Sequence, residues 1–230
     1  MKDGLIHVCF VLDESGSMTS SESDVKGGFK KVVEEQKALF TGGCLISLYK
    51  FNGRVHQIYL GKDVNEIDAD NLDYRPGGMT AMNDGIATAI DEVGKWLSDM
   101  DESERPEKNL IVVMTDGKEN VSKEFTLEQV REKIQHQTDK YNWSFVYMGT
   151  DVTDNSYANH LTFGLKNCTT VFNSRDKHMQ NYDVINMVTS AYRASTDSVE
   201  AKAATLDASL YDYAAVITSE FEKTTGAKVS

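Results

Sequence analysis

No run of lysine and arginine interrupts the 230-residue chain, whose 36 acidic and 24 basic residues leave a formal charge of -12 at pH 7. On average such a surface repels phosphate, which argues against nucleic acid and anionic membranes as partners, while cations and partners recruited through cations meet no such barrier. No apolar stretch is long enough to span a bilayer. Met1-Lys2-Asp3-Gly4 leads directly into a short apolar run with no basic region or cleavage site behind it, so no export signal is expected. Cysteine is scarce: Cys9, Cys44 and Cys168 are odd in number and widely spaced, and the first two sit inside apolar runs. That usage reads as buried free thiols in a reducing compartment, and a cytoplasmic protein is expected. Internal repeats and low-complexity tracts are also missing. What remains is a chain with 40% hydrophobic residues, enough to fill the core of one generous domain or of one domain plus an extension.

Leu5 to Leu12, Leu110 to Thr115 and Trp143 to Gly149 are nearly continuous apolar runs rich in β-branched and aromatic residues, the pattern of strands covered on both faces. Cys44 to Phe51 and Val55 to Leu60 flank Asn52-Gly53, a two-residue hairpin signal that predicts one antiparallel pair. Thr169 to Asn173 is a weaker sixth strand. Between these runs the apolar period becomes helical: Val25, Phe29, Val32, Val33 and Phe40 before Gly42-Gly43, then Ile86, Ile90, Val93 and Leu97, then Leu127, Val130 and Ile134, and later Met179, Tyr182, Ile185, Val188 and Tyr192. Strand and helix alternate to about residue 195, which predicts a doubly wound α/β sheet, six-stranded and mostly parallel. After a small polar stretch, Leu206, Leu210, Tyr213, Ile217 and Phe221 form one more stripe. The expected division is a domain over 1–195 and a C-terminal helical extension over 196–230.

Asp13-Glu14-Ser15-Gly16-Ser17-Met18 follows the first strand and places a carboxylate and two hydroxyls in a loop at a strand's carboxyl end, where open α/β sheets bind ligands. Met114-Thr115-Asp116-Gly117 puts a second carboxylate at the end of another buried strand. Between them Gly77-Gly78-Met79-Thr80 offers one more hydroxyl from a flexible loop leading into a helix. All-oxygen donors with two carboxylates suit a hard dication such as Mg²⁺, whereas zinc prefers His or Cys. Without an ion, two neighbouring carboxylates repel and one proton affinity should rise. Read singly, a Ser/Gly loop before a helix is often only a cap, and Thr80 or Asp84 could cap or favour a helix N-terminus; the joint order of the motifs at strand ends favours a metal site.

Asp13-x-Ser15-x-Ser17, the threonine of the glycine-rich loop and the Thr-Asp-Gly after a buried strand resemble the metal ion-dependent adhesion site (MIDAS) of von Willebrand factor type A (vWA) domains. The resemblance covers residues 4 to 195. It implies a mostly parallel sheet with one antiparallel edge strand and helices on both faces. It further implies a divalent ion, Mg²⁺ or else Mn²⁺ or Ca²⁺, held by the hydroxyls of Ser15, Ser17 and Thr80, with Asp13 and Asp116 acting directly or through water. One metal position is then left for an Asp or Glu of a protein partner. A standalone chain of this kind resembles small bacterial or phage proteins.

Other features are read as structural. Asp63, Glu66, Asp68, Asp70 and Asp73 lack the glycine and terminal glutamate of a calcium loop. The histidines are scattered, and Asp84 and Glu119, near the proposed site, are read as shaping its field. Ser23-Asp24-Val25-Lys26 has no Lys-Thr-Gly counterpart, Ser15 and Ser17 have no histidine near in sequence, and no phosphate-cradling G-x-x-x-x-G-K-[ST] loop is present. The leading expectation is a non-enzymatic interaction module whose rim comprises Glu14, Met18, Met79, Met82, Lys118, Glu119 and Asn120. A metal-dependent hydrolase of a phosphate or ester needs a base and anchoring cations that the sequence does not supply beyond Lys118. RNA binding would need a basic domain. A structural component of a larger assembly is compatible with the leading reading.

Overall fold

The computed structural model describes residues 1–39, 42–116, 118–149, 156–162, 164–165, 167–172 and 189. Among the described residues ten strands and α-helices follow in chain order: β1 (Lys2–Asp13), α1 (Glu22–Ala38), β2 (Gly43–Phe51), β3 (Val55–Asp63), α2 (Met82–Asp99), β4 (Pro106–Thr115), α3 (Leu127–Tyr141), β5 (Ser144–Gly149), α4 (Ser156–Thr162) and β6 (Cys168–Phe172). They build a six-stranded sheet in the order β3-β2-β1-β4-β5-β6, parallel except where the edge strand β3 runs against β2. The expected mostly parallel sheet with one antiparallel edge strand is therefore formed.

The apolar runs of β1, β4 and β5 are continuous because these strands are covered on both faces. Along β1, Ile6, Val8, Phe10 and Leu12 point into one core layer with Val25, Phe29, Val32 and Val33 of α1. Cys9 and Val11 point the other way, into a layer with Ile86, Ile90 and Val93 of α2, Val130 and Ile134 of α3, and Ala158 and Leu161 of α4. β4 and β5 divide in the same manner: Val112 and Val146 belong to the α1 layer, Ile111 and Phe145 to the α2 layer. This period of two, hidden inside an all-apolar run, is what two-sided burial leaves of strand alternation.

Two glycines set how closely α2 approaches the sheet. A Cβ on Gly85 would lie 2.9 Å from the Phe51 ring, so the first turn of α2 can rest directly on β2. Gly61, at φ +61°, sits where β3 shifts register against β2, and a Cβ there would overlap the Trp96 ring of α2 at 2.0 Å. Such a left-handed position in a strand calls for glycine.

Two details depart from the sequence reading. The β2–β3 connection holds three residues rather than two, with Phe51 paired to Val55, Asn52 N–H donating to the Arg54 carbonyl at 3.0 Å and Arg54 N–H to Asn52 Oδ1 at 3.1 Å. Asn52 is held from outside, because its carbonyl accepts the Ala81 N–H at 2.7 Å, and this tertiary tie overrides the local turn preference of Asn-Gly. α4 was not anticipated; seven residues give too few turns for a helical period to show. Phe40, the stripe from Met179 to Tyr192 except Thr189, and the extension over 196–230 lie outside the described residues. Among the described residues no helix is long and apolar enough to cross a membrane.

Candidate metal centre

The sheet changes direction of winding at β1, whose neighbours are β2 on one side and β4 on the other. At such a switch point the two following loops part and leave a crevice outside the carboxyl ends of the strands. Asp13 is the last residue of β1 and Asp116 follows the last residue of β4, so the two carboxylates flank this crevice.

Asp13 is fully buried and both of its oxygens are engaged: Oδ1 accepts the Ser15 N–H at 2.8 Å and Oδ2 accepts the Thr115 hydroxyl at 2.6 Å. Ser15 Oγ lies 3.0 Å from Ser17 Oγ, and the Ser17 hydroxyl donates to Asp116 Oδ1 at 2.6 Å. Four of the five residues singled out in the sequence thus form one continuous hydrogen-bonded chain. Thr80 joins through its backbone. Its N–H donates to Asn120 Oδ1 at 3.0 Å, its carbonyl accepts the Asn120 N–H at 3.1 Å, and two residues earlier the Gly78 carbonyl accepts the Gly16 N–H at 3.1 Å. Among the described residues the Thr80 hydroxyl makes no hydrogen bond to the other four.

Burial pushes the Asp13 carboxyl above the usual carboxylate range; the hydrogen bonds from Thr115 and Ser15 pull it back, and the nearby Asp116 charge adds a lesser upward push. A raised proton affinity is the sequence expectation, but desolvation rather than carboxylate repulsion leads it. Among the described residues no three His, Cys, Asp or Glu side chains cluster, so an ion held at this crevice must draw on hydroxyl oxygens. The available set of two carboxylates with Ser15, Ser17 and Thr80 suits a hard dication.

The surrounding residues are distributed differently from the sequence reading. Met79, at 54% exposure, and Lys118 and Asn120 stand at the surface of this pole. Glu14, Met18 and Met82 do not belong to the rim, because all three are buried: Met18 fills the α1 layer and Met82 the α2 layer. Asp84 and Glu119 are braces. The Asp84 carboxylate accepts the N–H groups of Lys123, Glu124 and Phe125 at 2.9, 3.1 and 2.9 Å, and Glu119 accepts the Asn83 N–H at 2.8 Å and those of Val121 and Ser122 at 2.9 and 2.7 Å. Sequence reasoning missed Lys50, whose ammonium reaches Glu14. The available signal was a lysine one position from the end of the apolar run Cys44 to Phe51, which was read as one arm of an antiparallel pair.

A family model for the von Willebrand factor type A domain matches residues 7–184. The chain belongs to the vWA family. No curated protein matches it. Among solved structures, the vWA fold is shared with the von Willebrand factor type A protein from Catenulispora acidiphila at a TM-score of 0.60 and 14% identity, over 83% of this chain and 43% of that one. Proximal thread matrix protein 1 from the mussel byssus, with a zinc-occupied MIDAS motif, is similar at 0.59 and 19% identity, over 81% and 46%. The vWF domain of the type V pili tip protein Mfa5 from Porphyromonas gingivalis is similar at 0.58 and 12% identity, over 80% and 95%. The vWA chain thus spans less than half the length of the mussel and Catenulispora proteins.

Proposed function

We propose that this vWA domain holds one divalent cation, Mg²⁺ or in its place Mn²⁺ or Ca²⁺, through Asp13, Ser15, Ser17, Thr80 and Asp116, and uses it to bind an Asp or Glu of a protein partner. The observation that carries the reading is the continuous chain Asp13–Ser15–Ser17–Asp116, whose Ser17 hydroxyl bridges 2.6 Å to a carboxylate on a loop 99 residues away. When bound, the ion supplies positive charge and a coordination position for an oxygen ligand. The protein's own part is to present the five oxygen donors from the end of β1, the loop after β4 and the loop before α2, with Met79 exposed beside them as an apolar contact at the rim. The module is read as non-enzymatic. The zinc-occupied motif of the mussel protein supports a metal at the corresponding pole of this fold and makes zinc a necessary comparison ion. A cytoplasmic location is part of the proposal, on the odd number and wide spacing of the three cysteines.

An ion bound only by the folded state stabilises it by mass action, by about 2.7 kcal/mol at a hundred times Kd. Mg²⁺ and Mn²⁺ are expected to raise Tm in thermal melts of the metal-free protein, and Asp116→Ala to abolish that response while the fold survives. An undiminished response in Asp116→Ala would remove the site assignment. The partner half is tested by pull-down with and without EDTA: a protein captured by the intact chain in Mg²⁺ and lost with Asp116→Ala supports it, and capture indifferent to both contradicts it.

A further inference from the structure

Between the metal-loop residues Asp13 and Ser15 stands a glutamate that no oxygen-donor role requires, and its burial partner is a lysine. Lys50 lies next to last in β2, beside Leu12 of β1, and the side chains of Lys50 and Glu14 are each 7% exposed. Lys50 Nζ donates to Glu14 Oε1 at 2.7 Å and to the Asp73 carbonyl. The same Glu14 oxygen accepts the Arg75 N–H at 2.6 Å. The backbone of Glu14 continues the pattern, with its N–H on the Phe51 carbonyl at 2.7 Å and its carbonyl accepting the Gly77 N–H at 2.8 Å. The Tyr74 hydroxyl donates to the Asp13 carbonyl. The segment that runs into Thr80 is therefore fastened to residues 13–16 directly at Tyr74, Arg75, Gly77 and Gly78 and through Lys50 at Asp73.

Stability alone is a poor reason for this arrangement. Removing two charges from water costs about as much as their attraction returns, and an apolar pair of the same volume is often equally stable. What the pair supplies is direction: an ammonium that bonds one loop's carboxylate and the other loop's carbonyl fixes the distance between them. Groups behind the ligands of a metal site act in this way, and their loss commonly lowers metal affinity 10- to 100-fold.

We infer that Lys50 is a positioning residue of the metal centre, acting through Glu14 to hold the Ser15/Ser17 loop and the Thr80 loop in the spacing an ion requires; the inference rests on the metal reading above. Lys50→Met alone strands a buried carboxylate and risks unfolding the protein. The double variant Lys50→Met/Glu14→Gln removes one charge of each sign, so the net charge and the long-range field at the centre are kept. Binding of Mg²⁺ and of Mn²⁺ to the full chain is measured by calorimetry, with Tm in EDTA as the stability readout and the spectrum of bound Mn²⁺ by electron paramagnetic resonance as a report on its coordination. The double variant is expected to melt in EDTA within a few degrees of the parent, to bind both ions about tenfold or more weakly, and to change the Mn²⁺ spectrum. The same loss of affinity measured on the folded fraction of Lys50→Met would support the role if the double variant proves unstable. Parent-like affinity, within twofold, in either folded variant overturns the positioning role while leaving the metal reading intact. Absence of ion binding by the parent itself overturns the metal reading, and this inference with it.

Discussion

His7 shows how a single buried residue sets the pH response of the fold. Its ring packs 5.1 Å from that of Trp96 and its Nε2 lies 2.8 Å from Ser47 Oγ, which also accepts the Gly61 N–H at 2.9 Å. Complete burial lowers its pKa to about 3, against a smaller opposing effect of the Asn109 side chain. The folded state therefore keeps His7 neutral while the unfolded chain takes up a proton below about 6.5, so this contribution to stability is whole above pH 6.5 and is lost as pH falls toward 3. At about 1.4 kcal/mol per pH unit, acidification from pH 7 to 5 should cost roughly 2 kcal/mol through this residue alone. His7→Gln is expected to flatten the fall of denaturant-measured stability between those two pH values by about that amount, and an unchanged slope would show that another group carries it. In sequence His7 was readable only as a core or surface histidine, because the ring it touches lies 89 positions away on α2. The positions of the candidate residues were more legible, because Asp13 ends β1, Ser15 and Ser17 come directly after it, Asp116 follows β4 and Thr80 lies just before α2. Glu14, Met18 and Met82 were misplaced at the rim, since which side of a loop faces the core is decided by tertiary contacts such as Lys50 to Glu14.

Among the elements, α2 illustrates a helix start completed by another part of the chain. Its N-cap, Ala81, has no side-chain hydrogen bond to give, and helix N–H groups left without acceptors are costly when covered. Glu119 accepts the Asn83 N–H at 2.8 Å and the Ser122 hydroxyl accepts the Asp84 N–H at 3.1 Å, so the β4–α3 loop caps α2. In return Asp84 holds three N–H groups of that loop, and its negative charge sits in the first turn of α2, where the helix dipole favours it. The exchange ties the loop after Asp116 to the helix that follows Thr80. Asp84→Ala leaves three amides without their acceptor and should cost about 2 to 3 kcal/mol, the scale of hydrogen bonds to a charged group. Hydrogen exchange of the amides of Lys123, Glu124 and Phe125 should accelerate selectively; protection equal to the parent's would mean that the loop is held by other contacts. α3 needs no such help, since Thr126 and Gln129 form a capping box within its own sequence. That contrast explains what was legible: a local cap can be read from neighbours in sequence, whereas the cap of α2 is borrowed across 36 positions. The three-residue β2–β3 turn belongs to the same class, its form set by Ala81.

For the whole molecule, the sheet that was legible from alternating apolar periods is also what gives the candidate centre its cost. Two core layers seal both faces of β1, and the strand delivers Asp13 to the crevice as a fully buried carboxylate. Burial raises its pKa in the folded state, so in the metal-free protein the ionised form opposes folding, and that penalty shrinks as pH falls through the raised value, the reverse of the His7 effect. A dication would offset the same penalty at neutral pH, which couples function to stability: the charge that would hold the ion weakens the empty fold. Asp13→Asn removes the charge and keeps an oxygen to accept the Ser15 N–H and an amide to face the Thr115 hydroxyl. In EDTA at pH 7 this variant should therefore melt above the parent, and it should show no further rise on addition of Mg²⁺ or Mn²⁺. The order of the two melting temperatures should reverse when the ion is saturating, because only the parent gains from it. A variant that melts below the parent in EDTA would show that hydrogen bonds to the Asp13 carboxylate outweigh its desolvation, and that the centre is a stabilising feature of the fold even without metal.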